Sequence, residues 1–270
     1  MHSLIHCNSP NNLGDSLINL IFFYQIKEYI ENNKIFINYY CKDKYHENLN
    51  DFKCSNNIKI LSYSDKGYLL WQGTEDLTTN YPIEDVLCKM FNKFLDYNNI
   101  PIKVEEFIYT DEDLIYRFNN LDEKYKGINA LIINSQPQSG QYDYNKPQFD
   151  NFIIELSKKY NIATTEKVND SIISLENMSV KNITALSTNV KLIIAVDTGP
   201  SVPLCNTFTL DNVEVCYFLN VNESYRRKPK KFIRVSNLNE IKIENFTQEN
   251  RIENFTQENR IENFTQENRI

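Results

Sequence analysis

Short apolar runs of strand character recur along this chain, each closed by a polar or glycine-containing turn and followed by helical patterning. That alternation marks an α/β protein with parallel sheets, because parallel neighbours need a crossover long enough to hold a helix. In the first half it predicts strands over residues 4–8, 34–41, 58–63 and 104–109, with helices over 15–32 and 82–98. Pro82 followed by Glu84 and Asp85 suits a helix start, where a missing N–H costs nothing and acids meet the positive end of the dipole. A charged amphipathic helix over 111–125 then runs into Lys126 and Gly127. The second half repeats the pattern: strands at 130–133, 161–165, 191–196 and 213–219, with helices over 147–160 and 179–188 and one starting at Pro200. A last strand-like run covers 232–235. The expectation is two Rossmann-like lobes, residues 1–126 and 127–242, and a separate tail over 243–270.

The tail is of another kind. From Ile243 the nonapeptide Ile-Glu-Asn-Phe-Thr-Gln-Glu-Asn-Arg occurs three times unchanged, ending at Ile270. Nine residues advance a helix by two and a half turns, so successive Ile and Phe pairs would point to opposite faces and could not dock on one. This predicts an exposed helix or a disordered extension without catalytic role, or else a tethering element.

Composition narrows the function classes. A chain of 270 residues with 41% hydrophobic and 13% aromatic residues can bury one large core or two smaller ones. A formal charge of −7 argues against a nucleic-acid partner, which needs a basic surface. The one basic run, Arg226-Arg227-Lys228-Pro229-Lys230-Lys231, reads as a solvated loop or as a patch for a phosphate or acidic acceptor. No apolar run approaches the roughly 18 residues of a membrane span. The N-terminus has neither the basic start nor the cleavage site of a signal peptide, so a cytoplasmic protein is expected, with peripheral membrane contact left open. Six cysteines without C-x-x-C spacing, and three histidines all before residue 47, predict buried free thiols and no metal site.

Two strand-turn-helix segments carry chemistry. In Ser9-Pro10-Asn11-Asn12-Leu13-Gly14-Asp15-Ser16, a strand ends in a polar loop and a helix follows, which is where open α/β sheets bind ligands. Asp15 brings a carboxylate to the mouth of that crevice, with Asn12 and Gly14 in the loop; a plain helix cap by Asp15 or Ser16 is the simpler alternative. In the second segment the buried run 192–196 meets Asp197-Thr198-Gly199-Pro200-Ser201. Gly199 permits close backbone approach, Thr198 and Ser201 supply hydroxyls, and Pro200 opens a helix whose unpaired N–H groups suit an anion such as a nucleotide diphosphate.

Together these turns resemble the ADP-heptose heptosyltransferase family, glycosyltransferase family 9, of the GT-B glycosyltransferases. That family has Gly-Asp after its first strand, matched by Gly14-Asp15, and Asp-Thr-Gly-x-Ser-His in its second lobe, matched by Asp197-Thr198-Gly199-Pro200-Ser201. Val202 stands where the family has His. Weaker echoes are Ile132-Ile133-Asn134-Ser135-Gln136, which puts Ser135 in the donor lobe, and the stretch 179–189. The resemblance covers roughly residues 3–30 and 128–222. It implies a GT-B-like fold and an inverting, metal-independent transfer of sugar from a nucleotide-sugar to a glycan or glycolipid, with Asp15 as general base. Asp197 to Ser201 and Ser135 would hold the donor, and Lys146 would add a cation or else simply open a surface helix. No cofactor is implied. Asp111-Glu112-Asp113 has the spacing of a metal-binding pair but sits where acids start a helix. Two other readings stay open: a polysaccharide pyruvyl transferase, which also has an Asn-x-Gly-Asp start like Asn12-Leu13-Gly14-Asp15, and a degenerate GT-B protein that binds without turnover.

Overall fold

The computed structural model describes residues 3–9, 12–70, 82–138, 140–222 and 229–242. The repeat region, Pro10, Asn11 and Arg226 to Lys228 lie outside the described residues. Contacts divide the chain into a compact unit, Met1–Leu238, and a second unit, Asn239–Ile270.

The first unit holds two parallel sheets. The first is four-stranded, from β1 (Ser3–Asn8), β2 (Ile35–Cys41), β3 (Ile58–Ser62) and β4 (Tyr68–Leu69), in the order β3-β2-β1-β4. The second is six-stranded: β5 (Ala130–Ile133), β6 (Ile162–Thr164), β7 (Ile173–Ser174), β8 (Leu192–Val196), β9 (Val215–Leu219) and β10 (Phe232–Val235), ordered β10-β9-β8-β5-β6-β7. Every pairing in both is parallel. β5, β8 and β9 are buried at every position, as continuous apolar runs covered on both faces should be. The helices are α1 (Leu13–Gln25), α2 (Lys27–Asn32), α3 (His46–Phe52), α4 (Ile83–Tyr97), α5 (Asp113–Asn119), α6 (Glu123–Lys126), α7 (Lys146–Ser157), α8 (Val180–Ser187) and α9 (Thr207–Asn212). This is an α/β protein of GT-B-like architecture. Among the described residues no helix is long and apolar enough to cross a membrane.

Aromatic packing fixes α1, the helix that matters most for the site. Phe22 stacks on Phe91 of α4 at 4.6 Å and meets Phe107 edge-on at 5.2 Å, while Phe23 meets Phe94 at 6.0 Å. Such pairs add about 0.5–1.5 kcal/mol each beyond burial, so the axis of α1 is held firmly.

A buried polar seam joins helices near the first sheet to α8. Arg117 of α5 pairs with Asp51 of α3 at 2.6 Å and with Asp113 at 2.7 Å, and donates to Asn182 of α8 at 3.1 Å. Lys181 of α8, 4% exposed, pairs with Asp111 at 3.1 Å and Asp113 at 2.9 Å. Ser179, which caps α8, also donates to Asp51 at 2.8 Å.

Local structure departs from the sequence expectation in instructive ways. The segment 104–109 is not a strand: the Asn92 side chain takes both backbone groups of Val104, at 2.9 and 2.8 Å, and only Tyr109 forms a bridge, to Asn206. The helix expected over 15–32 breaks at Ile26 into α1 and α2, and the one over 111–125 breaks into α5 and α6. The helix expected from Pro200 is a 3-10 turn, Gly199–Leu204, that Pro203 prevents from propagating as α-helix. Chain direction is re-set at Asn206, whose side chain accepts from Thr209 and caps α9.

Candidate active site

The first motif is built by the end of β1. Ser9 donates its N–H to the Tyr40 carbonyl at 3.0 Å, extending the parallel ladder past Asn8, and α1 starts at Leu13 with Asn12 as its cap residue. Asp15 is therefore the third helical residue rather than the cap. Its Oδ2 accepts the Asn12 N–H at 3.0 Å, which satisfies an otherwise orphaned backbone donor and fixes the carboxylate. Burial pushes the Asp15 carboxyl above the ordinary carboxylate range, opposed in part by the Asn12 N–H and by the charge of Lys42.

The second motif follows β8. Asp197 is 8% exposed, accepts from the Asn220 amide at 2.9 Å on one oxygen and lies 3.3 Å from the Ser201 hydroxyl on the other. Ser201 is fully buried and its hydroxyl serves the turn itself, donating to the Thr198 carbonyl at 2.8 Å and accepting the Thr198 N–H at 3.2 Å. Asp197 and Ser201 thus hold the shape of the loop. The backbone of Thr198, Gly199 and Pro200 is what the loop offers outward.

The two motifs meet at two glycines. A Cβ on Gly199 would lie 3.3 Å from the Gly14 nitrogen, and one on Gly14 would lie 3.4 Å from the Gly199 Cα. Val202 packs into this seam: it is 7% exposed, and its Cγ2 would lie 3.6 Å from a Gly14 Cβ.

A cavity of about 530 Å³ opens beside that junction. Of the residues singled out in the sequence, Asn12, Gly14, Asp15, Ser135, Asp197, Thr198, Gly199 and Pro200 line it. Ser201 lies beneath the surface and lines nothing. Lys146 is not in the lining either: at the first turn of α7 its ammonium pairs with Asp150 one turn along, at 2.8 Å. Asp111 and Asp113 are likewise committed to Lys181 in the seam. Among the described residues no three of His, Cys, Asp and Glu cluster in a way that could hold a metal ion.

The remaining lining comes from residues not singled out as site candidates, Gln136 among them although it ends the Asn134-Ser135-Gln136 stretch. Gln136, Gln138 and Gln141 follow β5, and Asn220 and Asn222 follow β9. All sit at the C-terminal ends of parallel strands adjacent to β8, the position at which open α/β sheets bind ligands. Ser135 shares its hydroxyl with Thr165 at 3.1 Å, and the buried Asn134 side chain ties this loop to β6 by accepting the Glu166 N–H at 2.8 Å. Tyr45, Ile83, Leu87 and Phe107 complete the wall on the side of α1. Of the basic run, Lys231 donates to the Leu210 carbonyl at 2.6 Å and so closes the end of α9.

No family model and no curated protein matches the sequence. Solved structures match the fold. The chain superposes on E. coli heptosyltransferase WaaC bound to ADP-2-deoxy-2-fluoro heptose with a TM-score of 0.57 at 9% identity, covering 86% of this chain and 92% of that one. E. coli ADP-heptose lps heptosyltransferase II matches with a TM-score of 0.54 at 10% identity, over 86% and 90% of the two chains. The iron-containing dodecameric glycosyltransferase TibC of enterotoxigenic E. coli H10407 matches at 0.50 and 8% identity, over 87% of this chain and 63% of that one. Two parallel sheets in this order, with a cleft at their strand ends, give this chain the fold of the heptosyltransferases.

Proposed function

We propose that the cleft is the active site of an inverting, metal-independent glycosyltransferase that moves a sugar from a nucleotide-sugar to a hydroxyl of a glycan or glycolipid. The observation that carries this reading is the meeting of Asp15 and the Thr198 to Pro200 turn in one cavity, at the strand ends of a heptosyltransferase-like fold. Asp15 takes the proton of the acceptor hydroxyl as its oxygen attacks the anomeric carbon; the bond from that carbon to the diphosphate breaks, and the nucleoside diphosphate leaves with the electron pair. In its ionised form, a carboxylate whose pKa is raised by burial is a better base than an ordinary one. The leaving diphosphate is met by the Gly199 N–H and by side-chain amides: the Asp197 and Thr198 N–H groups already donate to the Leu219 carbonyl and the Ser201 hydroxyl, and the described lining contains no Lys or Arg. Metal independence is part of the proposal and is checked by unchanged turnover in a chelator. Action in the cytoplasm fits the cysteines, all six free and five of them buried.

A thermal-shift screen of nucleotide-sugars tests the reading, because a ligand of the native state raises the melting temperature by mass action. At least one nucleotide-sugar raises it if the reading holds; a flat response to all of them contradicts it. A second reading, binding without turnover, is favoured by Val202, which fills the seam with an apolar side chain in place of a polar one. Turnover by the stabilising donor and a suitable acceptor separates the two.

A further inference from the structure

The two walls of the cavity differ in chemistry. On the side of Asp15, α1, α4 and the segments around them present Leu13, Ile18, Tyr45, Ile83, Leu87 and Phe107. Across from them the loops after β5 and β9 present hydroxyl and amide groups, including Ser135, Gln136, Gln141, Asn220 and Asn222. Asp15 is the charged group on the apolar wall. Lys42, whose charge is felt at Asp15, is not part of the lining.

We infer that the acceptor is an uncharged molecule whose attacking hydroxyl sits beside an alkyl or aryl group, and that this group lies on the apolar wall next to Asp15. This rests on the transferase reading. Three physical arguments favour it. An anionic acceptor would bring a second negative charge to a buried carboxylate with no described cation in the lining to compensate. A bare sugar would lay its hydroxyls against a wall whose hydrogen-bonding side chains are Asn12, Asp15 and Tyr45, and would meet apolar groups at Leu13, Ile18, Ile83, Leu87 and Phe107, leaving hydroxyls there desolvated and unpaired. An alkyl or aryl group instead gains by leaving water, and the amide wall opposite remains for the hydroxyls of the donor sugar.

Hexyl β-D-glucopyranoside below its micellar concentration, methyl β-D-glucopyranoside and glucuronate discriminate these cases, titrated against the whole protein by ligand-observed NMR. The hexyl glycoside binds about tenfold more tightly than the methyl glycoside, the return on burying about two methylenes, and glucuronate binds most weakly. Ile18→Lys removes the hexyl preference, and Ile18→Thr, a closer fit to the site, reduces it. Equal binding of hexyl and methyl glycosides overturns the inference, as does tightest binding by glucuronate or a hexyl preference that both Ile18 variants leave intact. If a nucleotide-sugar stabilises the protein and the hexyl preference is missing, the acceptor class alone is wrong. If no nucleotide-sugar stabilises it, the transferase reading falls and takes this inference with it.

Discussion

Gly14 and Gly199 stand backbone against backbone where the first turn of α1 meets the turn Gly199–Leu204, so that a Cβ on Gly199 would lie 3.3 Å from the Gly14 nitrogen and 3.4 Å from the Leu13 side chain. Neither glycine has a positive φ. Their role is close approach: the missing side chains let the Asp15 helix and the Asp197 loop share one cavity.

Gly199→Ala therefore forces backbone atoms apart by a few tenths of an ångström. Overpacking of this kind costs about 1–3 kcal/mol, and Gly199→Val costs more. Urea denaturation reads the loss, and the affinity for a stabilising nucleotide-sugar falls alongside it because the cavity wall itself is displaced.

Asp15 sets a pH dependence with a definite sign. As a general base it works ionised, and burial raises its pKa, so kcat/KM falls on the acid side at a pH above the ordinary carboxylate range. Stability behaves differently. A carboxyl whose folded pKa is raised is penalised by ionising, so wild type loses stability relative to Asp15→Asn as pH rises from the unfolded pKa through the raised folded one, then runs parallel to it. Melting curves of the two proteins across pH 3 to 8, about the range in which carboxylates titrate, give that difference directly.

Lys181 is the keystone of the polar seam, paired with Asp111 and Asp113 at 3.1 and 2.9 Å. Lys181→Met leaves Asp111, 7% exposed, without its cation and destabilises by about 3 kcal/mol or more, as broken buried pairs do. Asp113 loses some solvation in the seam, but Arg117 and Lys181 outweigh this and hold its pKa below the ordinary value. Its contribution is present above the unfolded pKa and lost as pH falls through the depressed one. Acid denaturation monitored by circular dichroism reads this limb, which Lys181→Met flattens.

Asn220→Leu removes the amide that donates to Asp197 at 2.9 Å. Losing a donor to a buried carboxylate costs about 1–3 kcal/mol. Because Asp197 shapes the turn, the variant weakens nucleotide-sugar binding, seen as a smaller thermal shift, while wild-type pH dependence at Asp15 is retained.

The architecture was legible because a buried parallel strand is an apolar run with punctuation at its end. β1, β2, β5 and β8 each carry that pattern, and the residues that end β1 and β8 lead into the two halves of the site. Other parts were written in contacts rather than in periodicity. The run from Val104 to Tyr109 has strand composition, yet a side chain 12 residues earlier takes the backbone bonds that a neighbouring strand would have used. β4 and β7, two residues each, are too short to show alternation. Lys146, half exposed, pairs with Asp150 one helical turn away and lies outside the cavity lining, which its charge and its place before a helix could not tell. Gln138, Gln141 and Asn222 lie in loops, where only the position after a strand end could have singled them out. Asp15 looked like a cap or a base. It does the work of a cap: Asn12 holds the cap position and Asp15 accepts its N–H to complete a capping box, and the same Asp15 lines the cavity.

The decisive measurement is sugar transfer by wild type and Asp15→Asn, made with whichever nucleotide-sugar raises the melting temperature and an alkyl glycoside acceptor. Removal of a general base lowers turnover by about 10²–10⁴-fold. The expected result is a loss of that size in Asp15→Asn, with donor-induced stabilisation preserved and wild-type turnover unchanged by chelator. Full transfer activity in Asp15→Asn would contradict the role given to this carboxylate, and with it the assignment of the cleft.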